Sequence, residues 1–155
     1  MQATGGASLT GDAWQSTAGG RRRVGVLASV AVTVFALDQI TKIMAVAWLQ
    51  DGQVVEVVDG ILRLRLVRNP GAAFSFATDI TIVLTAVAAT VVVVIMRLSR
   101  RLTSAWWAVA LGGLLGGALG NLTYMILREP APLRGHLIYF LELPNWPVFN
   151  LADSA

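Results

Sequence analysis

Three long apolar runs leave this chain few ways to fold. Val24–Leu37 resumes after a polar interruption as Ile43–Leu49; Ile80–Met96 is rich in Val, Ile and Ala; and Trp106–Leu127 is apolar with a glycine repeat. Runs of this length and composition suit helices that cross a bilayer. At 1.5 Å per residue, 24–48 would be about 37 Å long, enough to span with tilt, and 80–96 about 26 Å, slightly short. A mean hydropathy of +0.66 with 14% charged residues suits one domain in lipid.

The arginines sit at the ends of these runs. Residues 1–20 are Gly-, Ser-, Thr- and Ala-rich without an apolar period, which predicts a disordered cytoplasmic tail. Arg21-Arg22-Arg23 then precede the first run. That pattern fits a secretory signal or the inner flank of an uncleaved helix. No small-x-small cleavage site follows and the apolar character resumes, so an uncleaved helix over about 24–48 is expected. Arg97, Arg100 and Arg101 follow the second run and place that turn, with the N-terminus, inside. The net charge of +3 and pI near 10.2 therefore point to topology, with no nucleic-acid partner expected. With no Cys and a single His, His136, no zinc site is expected.

The segments between the runs carry the polar chemistry. Asp38 and Lys42 are spaced i, i+4 on the first helix, the better orientation for an ion pair. They read as a polar anchor near the outer interface or as support for a site. Val54–Val58 and Ile61–Val67 read as strands around an Asp59-Gly60 hairpin signal, giving a small β element over about 53–78. Asn69 precedes a Pro70-Gly71 turn and is, taken alone, a turn residue. In the third run (about 106–127), Gly112, Gly116 and Gly120 repeat every four residues beside Gly113 and Gly117, a small-residue face for tight helix packing. Asn121 follows it and taken alone is an interhelical hydrogen-bonder. Residues 128–149 form a proline-rich outer loop in which Leu137–Leu141 suits a short interfacial strand or helix. Finally, Asn150 and Asp153 stand three apart, one face of a helix, where a fourth span would open. An ionisable group at a membrane boundary is costly and so a functional candidate.

Taken together, four stretches resemble the bacterial lipoprotein signal peptidases, or signal peptidase II, most of all actinobacterial members. They are Asp38-Gln39-Ile40-Thr41-Lys42, Arg68-Asn69-Pro70-Gly71-Ala72-Ala73-Phe74-Ser75, Gly116-Gly117-Ala118-Leu119-Gly120-Asn121-Leu122, and Pro147-Val148-Phe149-Asn150-Leu151-Ala152-Asp153-Ser154-Ala155. They come in the family's order and spacing over about 115 residues. The resemblance implies a mainly α membrane protein: three transmembrane helices of a four-helix bundle plus a small β element on the periplasmic side. It implies an aspartic endopeptidase of the bacterial plasma membrane that removes the signal peptide from diacylglyceryl-modified prolipoproteins at the outer leaflet. It implies no metal or organic cofactor, a monomer, and contact with membrane lipid.

Carried over by position, Asp153 is one catalytic carboxylate, and Asn69, Asn121 and Asn150 line the substrate site. Asp38 and Lys42 are support. The partner Asp of a V-D-F stretch falls on Tyr139, and a second family Asp, in G-N-L-x-D-R, falls on Tyr124, with its Arg at Met125. Two close carboxylates share a proton and divide acid and base roles. A phenol with a pKa near ~10 can donate a hydrogen bond but is no ready base at neutral pH. Two readings follow: a peptidase working from Asp153, or a non-catalytic membrane protein that binds lipoprotein signal helices. A small proton-coupled transporter, resting on Asp38 and Lys42, finds no repeat or broken helix to support it.

Overall fold

A computed structural model describes residues 9–69, 77–127 and 136–155, with side chains placed for 20–50, 52–68, 82–127 and 136–155. The elements, in order, are helix α1 (Leu9–Trp48), strands β1 (Val54–Val58) and β2 (Leu62–Asn69), helices α2 (Ala77–Ser99) and α3 (Ala105–Leu127), and strand β3 (Leu137–Glu142). Short 3-10 segments follow α1 at Gln50–Gly52 and lie at Ala152–Ser154.

Three helices are long and apolar enough to cross a membrane: Gly20–Trp48, Ile82–Ser99 and Ala105–Leu127. They hold most of their large side chains outward, as lipid allows: Val32 is 67% exposed, Val83 59% and Met96 60%. α1 carries on back to Leu9, into the stretch whose composition suggests a disordered tail. No Pro interrupts that stretch, and extending an existing helix costs far less than nucleating one. α2 likewise begins three residues before the apolar run and ends three after it.

α3 is the central helix, packed on both α1 and α2. Glycine makes its approach to α1 possible. A Cβ built on Gly112 would fall 2.7 Å from Leu27 O, one on Gly116 2.5 Å from Ala31 O, and one on Gly120 onto the Asp38 carboxylate. The partners on α1 lie every three to four residues, so one stripe of each helix meets the other. The expected glycine face is therefore the α1–α3 seam.

The three strands form one antiparallel sheet in the order β1-β2-β3. β1 and β2 are the expected hairpin, with Gly60 at φ 67° in its turn, where a side chain would be strained. For β3 the sequence leaves strand and helix open; the segment adds to β2 with Val67 opposite Tyr139 and Asn69 opposite Leu137. Residues 70–76 and 128–135, with the Pro70-Gly71 turn, Pro130 and Pro132, lie outside the described residues. At the sheet end, Leu122, Tyr124 and Met125 of α3 pack with Ala45 and Leu49 of α1 and with Leu137, Ile138 and Phe140 of β3. A second apolar cluster, Leu27, Ile95, Leu102 and Ala108, closes the other end of the bundle.

Candidate active site

The last described residues reach α3 by way of a backbone clasp. After β3 the chain turns through Asn145, which has φ 59°, a left-handed conformation that Asn tolerates better than most residues. It then runs back along β3. Phe149 N donates to Leu141 O (2.9 Å), and Phe149 O accepts from Leu141 N (2.9 Å) and Phe140 N (3.0 Å). This holds Pro147-Val148-Phe149 against the sheet and delivers Asn150 and Asp153 to the α3 surface.

Asn150 and Asp153 then lock each other. Asp153 N donates to Asn150 Oδ1 and Asn150 N donates to Asp153 Oδ2, both at 3.1 Å. This is the reciprocal logic of a capping box, in which two side chains three apart satisfy each other's backbone donors. The spacing alone suggests one face of an opening helix; in the described residues the pair flanks the 3-10 segment Ala152–Ser154. The other end of the Asn150 amide donates to Asn121 Oδ1 (3.2 Å) and to Ile138 O (3.1 Å), and the residue is fully buried.

Asn121 joins this turn to α1. Its Oδ1 accepts from Lys42 Nζ (2.8 Å) as well as from Asn150, and its Nδ2 donates to Asp153 Oδ1 (3.0 Å). An ammonium on one side and a carboxylate on the other fix which end of the amide points where. Lys42 also bonds Asp38 Oδ2 at 2.8 Å and lies 5.1 Å from the centroid of the Tyr124 ring. Asp38 Oδ2 takes a second bond from Gln39 Nε2 (3.1 Å), and Asp38 Oδ1 accepts from Ala152 N (3.1 Å). Among the described residues no buried side-chain nitrogen or oxygen lacks a partner.

Asp38 and Lys42 form the expected ion pair, fully buried. Both side chains are 0% exposed, and the pair sits against the space that Gly120 leaves open. The ion pair holds the terminal turn directly, through Ala152, and Asp153 indirectly, through Asn121. Sequence spacing shows the pair; its link to Asn121 is a tertiary contact that no local pattern reveals. Gln39 carries no signal of its own in the sequence, although it lies inside the Asp38–Lys42 motif; it bridges Asp38 to Gly120 O (3.3 Å).

Asp153, by contrast, is exposed, and it lines a cavity of about 470 Å³ with Val67, Tyr139, Trp146, Pro147, Val148 and Phe149. The structure therefore sets Tyr139 and Asp153 on one cavity. Tyr124 is 4% exposed and turned into the apolar cluster under Lys42. Met125, at 2% exposed, faces α2, where Thr85 Oγ1 donates to its sulfur at 3.4 Å. The Asn69 backbone ends β2 beside Leu137, and its side chain lies outside the described residues. Among the described residues no group of three or more His, Cys, Asp or Glu could hold a metal.

A family model described as signal peptidase (SPase) II matches residues 30–155. The lipoprotein signal peptidase of Mycobacterium avium is 54% identical over 134 residues, 86% of this chain and 74% of that protein. The lipoprotein signal peptidase of Mycolicibacterium smegmatis is 50% identical over 145 residues, 94% of this chain and 61% of that protein. A solved structure titled as a bacterial membrane enzyme, determined by the in meso method at 1.9 Å, superposes with a TM-score of 0.72 at 25% identity, covering 84% of each chain. The matched residues include every element of the network around Asp153, and on these grounds the chain belongs to the signal peptidase II family.

Proposed function

We propose that this chain acts on diacylglyceryl-modified prolipoproteins, hydrolysing the peptide bond at the end of the signal helix with Asp153 as its acid–base group. The observation that carries this is the setting of Asp153. Each carboxylate oxygen holds one protein hydrogen bond, from Asn121 or from the Asn150 backbone, while the group faces an apolar-walled cavity. Each oxygen can accept at least one more bond, enough to orient a water. The water oxygen attacks the scissile carbonyl carbon as its proton passes to Asp153. The tetrahedral oxyanion takes a hydrogen bond from the Tyr139 phenol. Asp153 then returns the proton to the leaving amide nitrogen as the C–N bond breaks. Asn69 and the Asn121–Asn150 pair serve the substrate backbone, which in lipid has few other partners. The protein works as a monomer in the bacterial plasma membrane, in contact with its lipid, with the N-terminus cytoplasmic and the site at the outer leaflet.

One carboxylate in place of a pair sets the expected rate. General acid–base assistance is worth about 10²–10⁴-fold, so Tyr139→Asp, on the same cavity as Asp153, raises cleavage by that order. The test is hydrolysis of a lipid-modified prolipoprotein by the purified chain in detergent, beside Asp153→Asn. The expected result is slow cleavage that Asp153→Asn abolishes. Cleavage that survives Asp153→Asn removes Asp153 from the chemistry.

The phenols at both candidate partner positions favour a second reading, capture of lipoprotein signal helices without cleavage. Crosslinking of an intact prolipoprotein to this chain, with no product at any time, would establish that reading instead.

A further inference from the structure

The end of the bundle away from Asp153 holds a feature that the peptidase reading does not use. Arg21, Arg22 and Arg23 lie at the start of the first span, Arg97 at the close of the second, and Arg100 and Arg101 in the turn before the third. The fold brings these two sequence-distant groups to one end. Arg23 Nη1 donates to Leu102 O (3.5 Å), and Leu27 packs with Ile95, Leu102 and Ala108 just beneath. Among the described side chains none of the six makes an ion pair, and Arg21, Arg22, Arg97, Arg100 and Arg101 are exposed. Going along α1, the first described acidic side chain is Asp38, fifteen residues or about 22 Å beyond Arg23.

Depth is given by two independent observations. The second span closes at Ser99 and the third opens at Ala105, both at this level. Trp106 and Trp107, 84% and 63% exposed, stand beside the arginines, and Trp concentrates where hydrocarbon meets headgroup. Exposed guanidinium groups that make no ion pair among the described side chains suit phosphate oxygens in charge and in hydrogen-bonding geometry.

We infer that this arginine collar is a binding site for anionic phospholipid headgroups, with the phosphates bridging the start of α1 to the α2–α3 turn. It rests on the membrane-spanning reading of the helices and not on the peptidase reading. Occupation ties the first helix to the other two at the end opposite Asp153.

The test uses the full chain in nanodiscs of phosphatidylcholine with or without phosphatidylglycerol. Retained lipid is counted by native mass spectrometry and unfolding followed by heating. The expected result is selective retention of phosphatidylglycerol and a raised Tm in its presence. Arg97→Gln/Arg100→Gln/Arg101→Gln should weaken retention roughly 10²-fold, at about 1 kcal/mol per arginine near the surface. The corresponding Arg→Lys variant should lose much less. If the Gln variant fails to fold, the unmutated chain gives the same reading, since salt at about 1 M shortens the screening length to about 3 Å and should abolish the preference. Equal retention of phosphatidylcholine, a preference indifferent to salt, or an equal Tm gain from inorganic phosphate alone would each overturn the inference.

Discussion

Adjacent glycines on α3 serve different neighbours. Gly112, Gly116 and Gly120 admit α1, whereas Gly117 admits the terminal turn, with Ala152 O 2.5 Å from where its Cβ would lie. The first row brings two helices close along the whole seam and ends at the Asp38 carboxylate. The second receives the segment that carries Asp153. Both rows are stripes of small residues in the sequence, yet one seats α1 and the other seats the segment that carries Asp153.

The ion pair at the end of the first row is where breaking the comparison costs most. Lys42→Met leaves the buried Asp38 without its cation, and removing one partner of a buried pair costs about 3–5 kcal/mol. It also removes one of the two donors that hold Asn121 Oδ1, so both stability and Asp153 geometry suffer. Thermal unfolding in detergent should show a large drop in Tm, together with lost cleavage. The double variant Asp38→Asn/Lys42→Met should recover much of the Tm, because no uncompensated charge remains, without recovering activity. A Tm unchanged by Lys42→Met would show that the pair is not buried as described.

Much of this architecture is legible in the sequence alone. Long apolar runs specify helices because lipid offers the backbone no other partner. The four-residue glycine period specifies a close helix contact, and Asp59-Gly60 specifies the hairpin. Two features are not legible there, for different reasons. β3 carries a run, Leu137-Ile138-Tyr139-Phe140-Leu141, too short for periodicity to separate strand from helix; its partner β2, nearly seventy residues earlier, decides the matter. The burial of Asp38 and Lys42 depends on Gly120, and such a dependence between residues eighty apart leaves no local trace. The Asn150–Asp153 lock is within reach of the sequence, since a polar pair three apart is the mark of a reciprocal cap, but the same spacing equally describes one face of a helix.

Gly116→Ala tests the first row alone. Its Cβ would meet Ala31 O at 2.5 Å and Val34 Cβ at 2.8 Å, and a backbone carbonyl cannot step aside without moving α1. Overpacking of this kind costs about 1–3 kcal/mol. The expected outcome is a lowered Tm, with cleavage falling because the displaced α1 carries Lys42 away from Asn121. A normal Tm would mean that the two helices are farther apart than the seam described above.

Gly117→Ala, one residue on, should have the smallest effect on stability and a selective effect on the site. Its Cβ would meet Ala152 O, in the 3-10 segment Ala152–Ser154. The turn can shift outward at a cost of roughly 1 kcal/mol, the low end for overpacking. That shift stretches the Ala152–Asp38 bond and moves Asp153 off Asn121, the two contacts that align the carboxylate. A misplacement of about 1 Å can cost about 10²-fold in rate. Tm close to that of the unmutated chain with cleavage lowered by that order would separate the two rows. If Gly117→Ala instead lowers Tm as far as Gly116→Ala does, the terminal turn is part of what holds the bundle together, and the division of labour between adjacent glycines fails.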